Sequence, residues 1–317
     1  MLAIGMIGAG INARSHLSAM ERTGICRLAC VVDVNAEKAR ALADRFGCPY
    51  YTDYKKIGVS LDAVIISLPH YLHREAACWF LERRIHVLIE KPMANTYADC
   101  LEMIQAAQNS GARLAVGHVQ RYFDANRLLK QYYDSGAFGK LCMTEEQRTI
   151  YYFADNRPAW FLNREQSGGG ILMNYGAHAL DKLYYLMDSD LSEYHANIGN
   201  FLNTSDVEGH AQLFLRFENG VSSSVTFCGY HGFNVNDTTY YFTDGAVRVS
   251  DSRLLFAARN GTLEKVEIPD EHHCFSAQLM DFVRLLNGEK TEIASGEYGA
   301  RIIRTLELIY GREKEAR

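Results

Sequence analysis

A strand, a glycine-containing turn and a second strand occupy the first 33 residues, and this arrangement constrains the fold more than any other feature. Apolar strands are predicted over residues 4–7 and 28–32. Between them, Gly8 permits a tight turn, Gly10 lets the backbone approach a ligand, and Ala13 is small enough for helix and strand to pack closely. The pattern predicts a dinucleotide-binding turn whose helix presents N–H groups to phosphate oxygens.

Asp33 ends the second strand, about twenty residues after the turn, where an acid can accept hydrogen bonds from ribose hydroxyls. A carboxylate there also repels a 2′-phosphate, and residues 34–36 supply no arginine to bind one. We therefore predict NAD as the cofactor, with NADP less favoured. The residues of this segment predicted to bind it are Gly8, Gly10, Ile11, Asn12 and Asp33.

Size, charge and composition narrow the class of protein. A chain of 317 residues with 48% hydrophobic content is long enough for two domains with separate cores. The formal charge of -5 and the lack of a Lys/Arg-rich run argue against nucleic acid or an anionic membrane as partner. Because we find neither a basic leader nor a membrane-length apolar run, we expect a cytoplasmic protein with a small-molecule partner.

The eight cysteines contain no Cys-x-x-Cys pair, which favours reduced thiols over a disulfide framework or a zinc site. Cys26 and Cys30 are interpreted as strand packing. Residues 271–274, Glu-His-His-Cys, suggest a metal site, but adjacent side chains diverge and no second ligand cluster is evident. We predict no metal.

The first 122 residues alternate continuous Val/Ile/Leu runs with helical segments, which is typical of a parallel sheet covered on both faces. We predict an α/β fold with an amino-terminal Rossmann domain, a doubly wound parallel sheet, over residues 1–122. Besides the two strands named above, the predicted strands are 61–67, 86–90 and 113–117, and the predicted helices are 36–46, 73–84 and 98–110.

Residues 123–317 are predicted to form an α+β domain with a mostly antiparallel sheet, for substrate binding and oligomerisation. Hairpin signals occur at residues 218–220 and 244–245. The predicted helices are 124–134, 174–187, 275–286 and 299–310. The predicted strands are 141–152, 193–201, 208–217, 220–228, 238–242, 246–249 and 254–257. We expect helices on one sheet face, with the other face serving the active site or a subunit contact.

Glu90-Lys91-Pro92 closes a predicted parallel strand at its carboxyl end, where open α/β sheets place ligands. Pro92 biases Lys91 away from the helical region, which can hold the ammonium at the crevice. There Lys91 could hydrogen-bond the reacting substrate oxygen and stabilise alkoxide character. The alternative is a surface lysine before a turn.

A second concentrated signal is the glycine run at residues 168–170 and the helix after it, in which Asn174 and His178 lie one turn apart. The glycines would allow the backbone to approach a ligand. His178 could take a hydroxyl proton as hydride departs from the same carbon. The alternative is a satisfied core histidine. Asp181 could orient the imidazole or be an ordinary helix charge.

An aromatic segment precedes the glycine run and could wall a sugar site. Sugar faces pack on aromatic rings, and an arginine could hold a phosphate or carboxylate. Sheet packing with surface arginines explains the segment equally well. The residues concerned are Tyr151, Tyr152, Trp160, Phe161, Arg157 and Arg164, and the weaker candidates His231, Asn234 and Asn236 follow later in the chain.

Over nearly its whole length the chain resembles the Gfo/Idh/MocA oxidoreductase family. The family's glycine turn matches residues 8–13, its Glu-Lys-Pro matches 90–92, and its glycine run with a histidine-bearing helix matches 168–178. Residues 67–73 resemble the family's Thr-Pro-Asn-x-x-His segment near the nicotinamide ribose, and 117–123 match the passage into the second domain. The resemblance adds Ser67, Pro69, His70, His73, Glu90, Lys91 and Arg121 as cofactor-binding residues, with His70 where asparagine is usual.

The resemblance implies reversible oxidation of a secondary alcohol on a sugar, cyclitol or nucleotide sugar, with Lys91 and His178 as the catalytic pair. Many members carry aspartate where this chain has Asn174, and an amide cannot share a proton with His178 as a carboxylate can. We expect Asn174 to bind a substrate hydroxyl. The predicted substrate-binding residues are Lys91, Asn174, His178, Tyr152 and Trp160.

Two other functions are compatible with the same motifs. One is a glycoside-processing enzyme that keeps NAD bound and uses transient oxidation, and the other is a non-catalytic, dinucleotide-responsive regulator. Retention of both Lys91 and His178 argues against the regulator. By analogy with the family, we also predict a homo-oligomer, a dimer or tetramer.

Overall fold

The structure is a computed structural model that describes residues 1–202, 205–251, 254–259, 261–268 and 273–311. Strands β1–β15 are Leu2–Ile7, Cys26–Val32, Tyr50–Tyr51, Ala63–Ile66, His86–Glu90, Leu114–Gly117, Leu141–Thr149, Leu191–Gly199, His210–Phe217, Ser222–Cys228, Val235–Phe242, Gly245–Ser250, Leu254–Arg259, Thr262–Val266 and Ala294–Ser295. Helices α1–α9 are Ile11–Thr23, Ala36–Phe46, His73–Leu81, Tyr97–Ser110, Asp124–Ser135, Arg164–Ser167, Ala177–Met187, Cys274–Leu286 and Gly296–Ile309.

The chain divides into two compact units, one of Met1–Val119 with His273–Ile303 and one of Gln120–His272 with Arg304–Arg317. The division near residue 120 lies close to the domain boundary predicted at 122. Residues 273–303 differ from the prediction, because they belong to the first unit. There Leu279 and Phe282 of α8 are buried in the core that also contains Leu17 and Met20 of α1.

The first unit contains a seven-stranded sheet in the order β15-β6-β5-β4-β1-β2-β3. All pairs are parallel except β15 with β6. This confirms the predicted Rossmann-type sheet. Because β1 lies between β2 and β4, the strand order reverses at β1, and open sheets bind ligands at the carboxyl ends of the strands flanking such a point.

Local signals set the helix boundaries of this unit. The Asn35 side chain accepts a hydrogen bond from the Lys38 N–H at 3.0 Å and so begins α2, which ends at Gly47 with φ +63°. Helix α3 ends at Leu81, three residues before its predicted end. Arg84 has a φ of +62°, a left-handed conformation that cannot continue a right-handed helix.

The second unit contains an eight-stranded sheet in the order β14-β13-β12-β11-β7-β10-β9-β8. Every pair is antiparallel except β7 with β10, so the prediction of a mostly antiparallel sheet is confirmed. Both predicted hairpins form, between β9 and β10 and between β11 and β12. Strands β14 and β15 were not predicted, and β7 ends at Thr149 rather than at residue 152.

The helix predicted over residues 174–187 is two pieces. Leu172–Gly176 forms a π-helical turn, and α7 begins only at Ala177. π-helical turns occur mostly as single insertions in helices and often at functional sites. Asn174 therefore lies in the π turn and His178 in the first turn of α7.

One face of the second sheet is buried and the other exposed, as β9 shows. Leu213, Leu215 and Phe217 are buried, whereas Phe214 between them is 43% exposed. Met143 and Tyr241 are also exposed. No helix in the described part of the chain is long and apolar enough to cross a membrane.

All eight cysteines are free thiols. Cys26 and Cys30 are buried in β2, and burial raises the pKa of Cys26 to about 11 and that of Cys30 to about 12. Their packing role agrees with the sequence interpretation.

Candidate active site

The glycine turn after β1 is built on a backbone contact. Gly8 has a φ of +101°, and a Cβ at this position would lie 2.2 Å from the carbonyl oxygen of Ser67. The Gly8 N–H donates to the Val32 carbonyl at 2.7 Å, and the Ala9 N–H donates to Oδ2 of Asp33 at 2.8 Å. The turn is thus fixed to the carboxyl ends of both strands beside β1.

The outer side of the same turn is open. Gly10, Ile11 and Asn12 are exposed, and a Cβ on Gly10 would meet no described atom within 4 Å. Within the described chain, no side chain caps the first turn of α1, so its N–H groups can donate to a phosphate. These features fit the pyrophosphate of a dinucleotide.

Asp33 is braced by backbone and can still accept further hydrogen bonds. Oδ2 accepts from the Ala9 N–H and Oδ1 accepts from the Asn35 N–H, both at 2.8 Å. Each carboxylate oxygen has a second lone pair for a ribose hydroxyl. Val34 and Ile11 are 90% and 85% exposed, which is unusual for large apolar side chains. A planar base bound beside Asp33 would cover them.

His73 connects the segment after β4 with the turn after β5. Its ring is fully buried, with Nε2 2.9 Å from the Leu68 carbonyl oxygen and Nδ1 3.0 Å from that of Pro92. Burial lowers the pKa of His73, although the carbonyl contacts favour the protonated ring. His73 was predicted to bind the cofactor, but both ring nitrogens face backbone. Its geometry is that of a brace for the segment next to Lys91.

The other residues predicted on the segment after β4 differ in exposure. His70 is 6% exposed and its ring centroid lies 5.7 Å from that of His73, whereas Ser67 and Pro69 are half-buried. The Ser67 N–H donates to the Ile7 carbonyl at 2.8 Å. Ser67 and Pro69 therefore keep partly accessible surface beside the glycine turn.

Glu90 forms a buried pair with His16 of α1, at 2.7 Å between Oε1 and Nε2. Burial opposes ionisation of Glu90, but the hydrogen bond and charge of His16, with the charges of Lys91 and His73, hold its pKa below the usual range. Sequence reasoning assigned Glu90 to the cofactor and did not identify His16. His16 lies three residues after the buried Ala13 and four before the buried Met20, which places it on the apolar face of α1. This helical spacing is the sequence feature that could have predicted its burial.

Lys91 follows Glu90 directly and is half-buried. The Lys91–Pro92 peptide bond is cis. Because β5 pairs with β4, and β4 with β1, Lys91 stands at the same sheet edge as Ser67 and the glycine turn. The first unit thus brings together the predicted cofactor turn and the predicted catalytic lysine.

In the second unit, the glycine run 168–170 is required by contacts within the protein. Gly168 ends α6 with a φ of +78°. A Cβ on Gly169 would lie 2.3 Å from the Tyr310 hydroxyl oxygen, and one on Gly170 would lie 2.2 Å from the Glu208 carbonyl oxygen. The expectation that these glycines let backbone approach a ligand is therefore corrected, because protein atoms fill the space.

Glu208 anchors the start of the π turn. Its carboxylate is 2% exposed, and Oε1 accepts hydrogen bonds from the Gly170 N–H at 2.7 Å, the Leu172 N–H at 3.0 Å and the Tyr310 hydroxyl at 2.5 Å. Backbone N–H groups at the start of a helix have no intrahelical acceptor, and Glu208 satisfies two of them. Sequence analysis missed Glu208 because no local pattern links it to the glycine run.

Asn174 and Tyr152, both predicted to bind substrate, come together in this unit. Asn174 is 8% exposed and its N–H donates to the Gly170 carbonyl at 3.1 Å. Burial raises the pKa of Tyr152, while the charge of Arg157 and the nearby Asn174 side chain act in the opposite direction. The Tyr152 hydroxyl is buried and has no hydrogen-bond partner in the described part of the chain, and the full burial of Tyr152 argues against direct contact with substrate.

His178 is half-buried on α7, whereas Asp181 has another partner. Asp181 is fully buried and forms an ion pair with Arg121, whose guanidinium carbon also lies 5.0 Å from the centre of the Tyr185 ring. Arg121 was predicted to bind the cofactor and Asp181 was considered as the group that orients His178. The structure shows these two residues as an ion pair inside the second unit, and the roles predicted for them stay predictions.

The aromatic segment forms two stacked pairs. The ring centroids of Trp160 and Phe161 are 3.9 Å apart, and those of Tyr151 and His231 are 3.7 Å apart. Asn234 is exposed, and Asn236 pairs with Arg148 across β11 and β7.

Glu271 and His272 lie outside the described residues, within which no group of three His, Cys, Asp or Glu side chains could hold a metal.

Comparison with known proteins agrees with both units. The profile of an oxidoreductase family with an NAD-binding Rossmann fold, Gfo/Idh/MocA, matches residues 2–118, and the profile of that family's carboxy-terminal domain matches residues 126–248. Together these matches account for most of the chain.

Among individual relatives, 1,5-anhydro-D-fructose reductase of Ensifer adhaerens is 26% identical over 308 residues, covering 93% of this chain and 91% of the relative. A 2,7-anhydro-N-acetylneuraminate hydratase of Mediterraneibacter gnavus is 28% identical over 206 residues, covering 64% of this chain and 54% of the relative. The chain spans about half the length of the first curated relatives it matches, 49 to 54%.

A solved structure, aldose-aldose oxidoreductase from Caulobacter crescentus complexed with glycerol, superposes with a TM-score of 0.90 at 25% identity, covering 100% of this chain and 98% of that one.

Two substitutions in the glycine turn separate folding from cofactor binding. We expect Gly8→Ala to cost ~3 kcal/mol of stability or more, because its φ is strained and its Cβ meets Ser67. Gly10→Ala should leave stability within about 1 kcal/mol of wild type but weaken NAD binding about tenfold or more. Thermal unfolding and calorimetric titration with NAD measure the two effects. Wild-type affinity of Gly10→Ala would show that the turn does not hold the cofactor.

Proposed function

Because the chain belongs to the Gfo/Idh/MocA oxidoreductase family, we propose that it transfers hydride between a nicotinamide cofactor and a secondary alcohol of a sugar, cyclitol or nucleotide sugar. The observation that carries this proposal is the turn after β1, fixed by Ser67 and Asp33 on one side and open at Gly10 on the other. The bound nicotinamide would supply the hydride acceptor, or the donor in the reverse direction.

Lys91 is proposed to act on the substrate oxygen. Its ammonium would donate a hydrogen bond to that oxygen and stabilise the negative charge that develops as hydride leaves the carbon. The ionised, buried Glu90 attracts this ammonium, and His73 holds the carbonyl of Pro92 next to it. Both neighbours restrict where Lys91 can place its charge.

His178 is proposed to accept the hydroxyl proton during oxidation and to return it during reduction. Asn174 would donate or accept a hydrogen bond at a substrate hydroxyl, since a neutral amide does both but cannot take up a proton. Glu208 fixes the π turn that carries Asn174 and precedes α7. The proton route then depends on His178 without a neighbouring carboxylate in the place of Asn174.

We propose NAD rather than NADP as the cofactor. Asp33 can accept hydrogen bonds from two ribose hydroxyls and would repel a 2′-phosphate at the same place. Its bonds to the Ala9 and Asn35 N–H groups keep the carboxylate at the end of β2.

A second candidate function is glycoside processing through transient oxidation with NAD retained. This candidate function is supported by the similarity to a protein named as a hydratase of an anhydro sugar, because a hydratase carries out no net oxidation. This function would convert sugar without accumulating NADH, whereas a dehydrogenase releases one NADH for each alcohol oxidised. A regulator would bind NAD and give neither product.

Homo-oligomerisation, as a dimer or tetramer, and a cytoplasmic location stay predictions. The exposed face of the second sheet, with Met143, Phe214 and Tyr241, is the surface that self-association would bury. The oligomeric state is measured as the mass of the protein in solution.

Removal of either proposed catalytic group should slow hydride transfer. We expect Lys91→Ala and His178→Asn each to reduce the single-turnover rate by about a hundredfold or more. The rate is measured from nicotinamide absorbance, with inositols, aldoses, amino sugars and nucleotide sugars as substrates. Lys56→Ala and His195→Asn are matched controls, because those side chains are 80% and 74% exposed. Near-wild-type rates in the first pair would reject the assignment.

Cofactor preference should follow the charge at the end of β2. Asp33→Ser combined with Asn35→Arg should shift the ratio of NADP to NAD affinity by more than about tenfold toward NADP. Asn35→Ala serves as the control, because Asn35 also caps α2 and its loss alone should cost about 1 kcal/mol of stability. Unchanged relative affinities in the double variant would contradict the NAD assignment.

A further inference from the structure

We propose that Arg157, at one end of a cluster with Tyr152, Tyr175 and Arg148, forms a subsite for an anionic oxygen group, a carboxylate or phosphate, carried by the sugar substrate. The inference rests on the proposed function and names the substrate class within it. All the residues that carry it lie in the second unit.

Each of the two guanidinium groups lies against a tyrosine ring. The guanidinium carbon of Arg148 is 3.9 Å from the centre of the Tyr175 ring, and that of Arg157 is 4.0 Å from the centre of the Tyr152 ring. The two tyrosine rings meet edge to face, with centroids 6.3 Å apart. Four side chains therefore form one contiguous cluster with a cation at each end.

Neither cation has a carboxylate partner among the described residues. Nε of Arg157 is also buried and has no hydrogen-bond acceptor in the same part of the chain. Other arginines of this unit are engaged, since Arg121 pairs with Asp181, Arg164 bonds to Asp206 and Arg248 pairs with Asp237. Partly buried charge without a partner is costly, and a ligand anion would offset that cost.

The cluster adjoins the residues proposed to bind substrate. Tyr175 follows Asn174 in the π turn, and the Asn174 side chain is near enough to the Tyr152 hydroxyl to act on its pKa. Asn236 pairs with Arg148 across the strands, so a neutral amide is its cross-strand neighbour. Asp237, the next residue, points to the opposite sheet face, where it pairs with Arg248.

The charge of the Glu208 carboxylate acts on Tyr152. Its Oε1 accepts hydrogen bonds from Gly170, Leu172 and Tyr310, whereas its Oε2 is buried without a hydrogen-bond partner in the described part of the chain. The two guanidinium groups outweigh this single negative charge, so the cluster keeps a net positive charge for a ligand.

The chemistry of guanidinium selects the ligand. Its planar N–H groups match the paired oxygens of a carboxylate or phosphate, whereas a sugar hydroxyl offers one oxygen and no charge. The ring of Phe161, 5.1 Å from the guanidinium carbon of Arg157, further limits the orientations of this side chain. We infer that a sugar acid or sugar phosphate is preferred over the neutral sugar of the same stereochemistry.

The test compares NAD reduction with glucose, glucuronate and glucose 6-phosphate, and with the corresponding galactose series. Wild type should give a kcat/KM at least about tenfold higher for a charged member than for the neutral one. Arg157→Gln should lower the ratio of charged-sugar to neutral-sugar kcat/KM by about tenfold or more, and Arg148→Gln, at the other end of the cluster, should lower this ratio less. A preference for carboxylate or for phosphate identifies which anion the subsite takes.

Two controls keep the outcome interpretable. Arg248→Gln removes an arginine of the same unit that is already paired with Asp237 on the opposite sheet face and should leave the preference unchanged. Arg148→Lys and Arg157→Lys keep the charge and should retain part of the preference, and thermal unfolding verifies that every variant is folded. Equal kcat/KM for neutral and charged sugars in wild type would overturn the subsite while leaving the proposed dehydrogenase intact.

If no sugar of either series is turned over, calorimetric titration of the NAD-loaded protein with the same sugars decides the question separately. Binding of a charged sugar that is lost in Arg157→Gln supports the subsite even though the proposed reaction fails for these substrates. Equal or undetectable binding of charged and neutral sugars overturns it.

Discussion

The backbone contact between Gly8 and Ser67 is the constraint on which the first unit depends. A side chain at Gly8 would lie 2.2 Å from the Ser67 carbonyl, so the turn after β1 can lie beside the end of β4 only if it carries no Cβ. This contact aligns the carboxyl ends of the central strands. The start of α1, Asp33 and Lys91 all take their places from that alignment.

In both units, buried polar groups hold the segments that carry the proposed catalytic residues. In the first unit, His73 bridges the carbonyls of Leu68 and Pro92, and His16 pairs with Glu90 directly before Lys91. In the second unit, Glu208 receives the N–H groups that begin the π turn. His73 and Glu208 bond backbone groups and His16 bonds the Glu90 side chain, so these contacts restrain the segments from which the side chains proposed for chemistry project.

Much of the fold followed from local pattern. The Rossmann sheet, the two hairpins and most helix limits could be predicted, because apolar runs, Asn35 and glycines such as Gly47 act within a few residues. The structure groups residues 273–303 with the first unit and not with the second domain predicted for them, since helical periodicity does not say which core a helix joins. The π turn was not predicted, and Glu208, which accepts the N–H groups at its start, lies more than thirty residues later in the chain.

The sequence by itself determined the cofactor turn, the family and the positions of Lys91 and His178, because those motifs are contiguous and each residue type has a local chemical reason. Only the tertiary structure decided that the glycine run 168–170 makes room for Tyr310 and Glu208, that Arg121 and Asp181 bind each other, and that His16 lies against Glu90. The contacts of Arg148 and Arg157 with the tyrosine pair, without a carboxylate partner among the described residues, also emerged only in three dimensions. Packing partners come from distant parts of the chain, and no short-range pattern records which distant residue fills a given space.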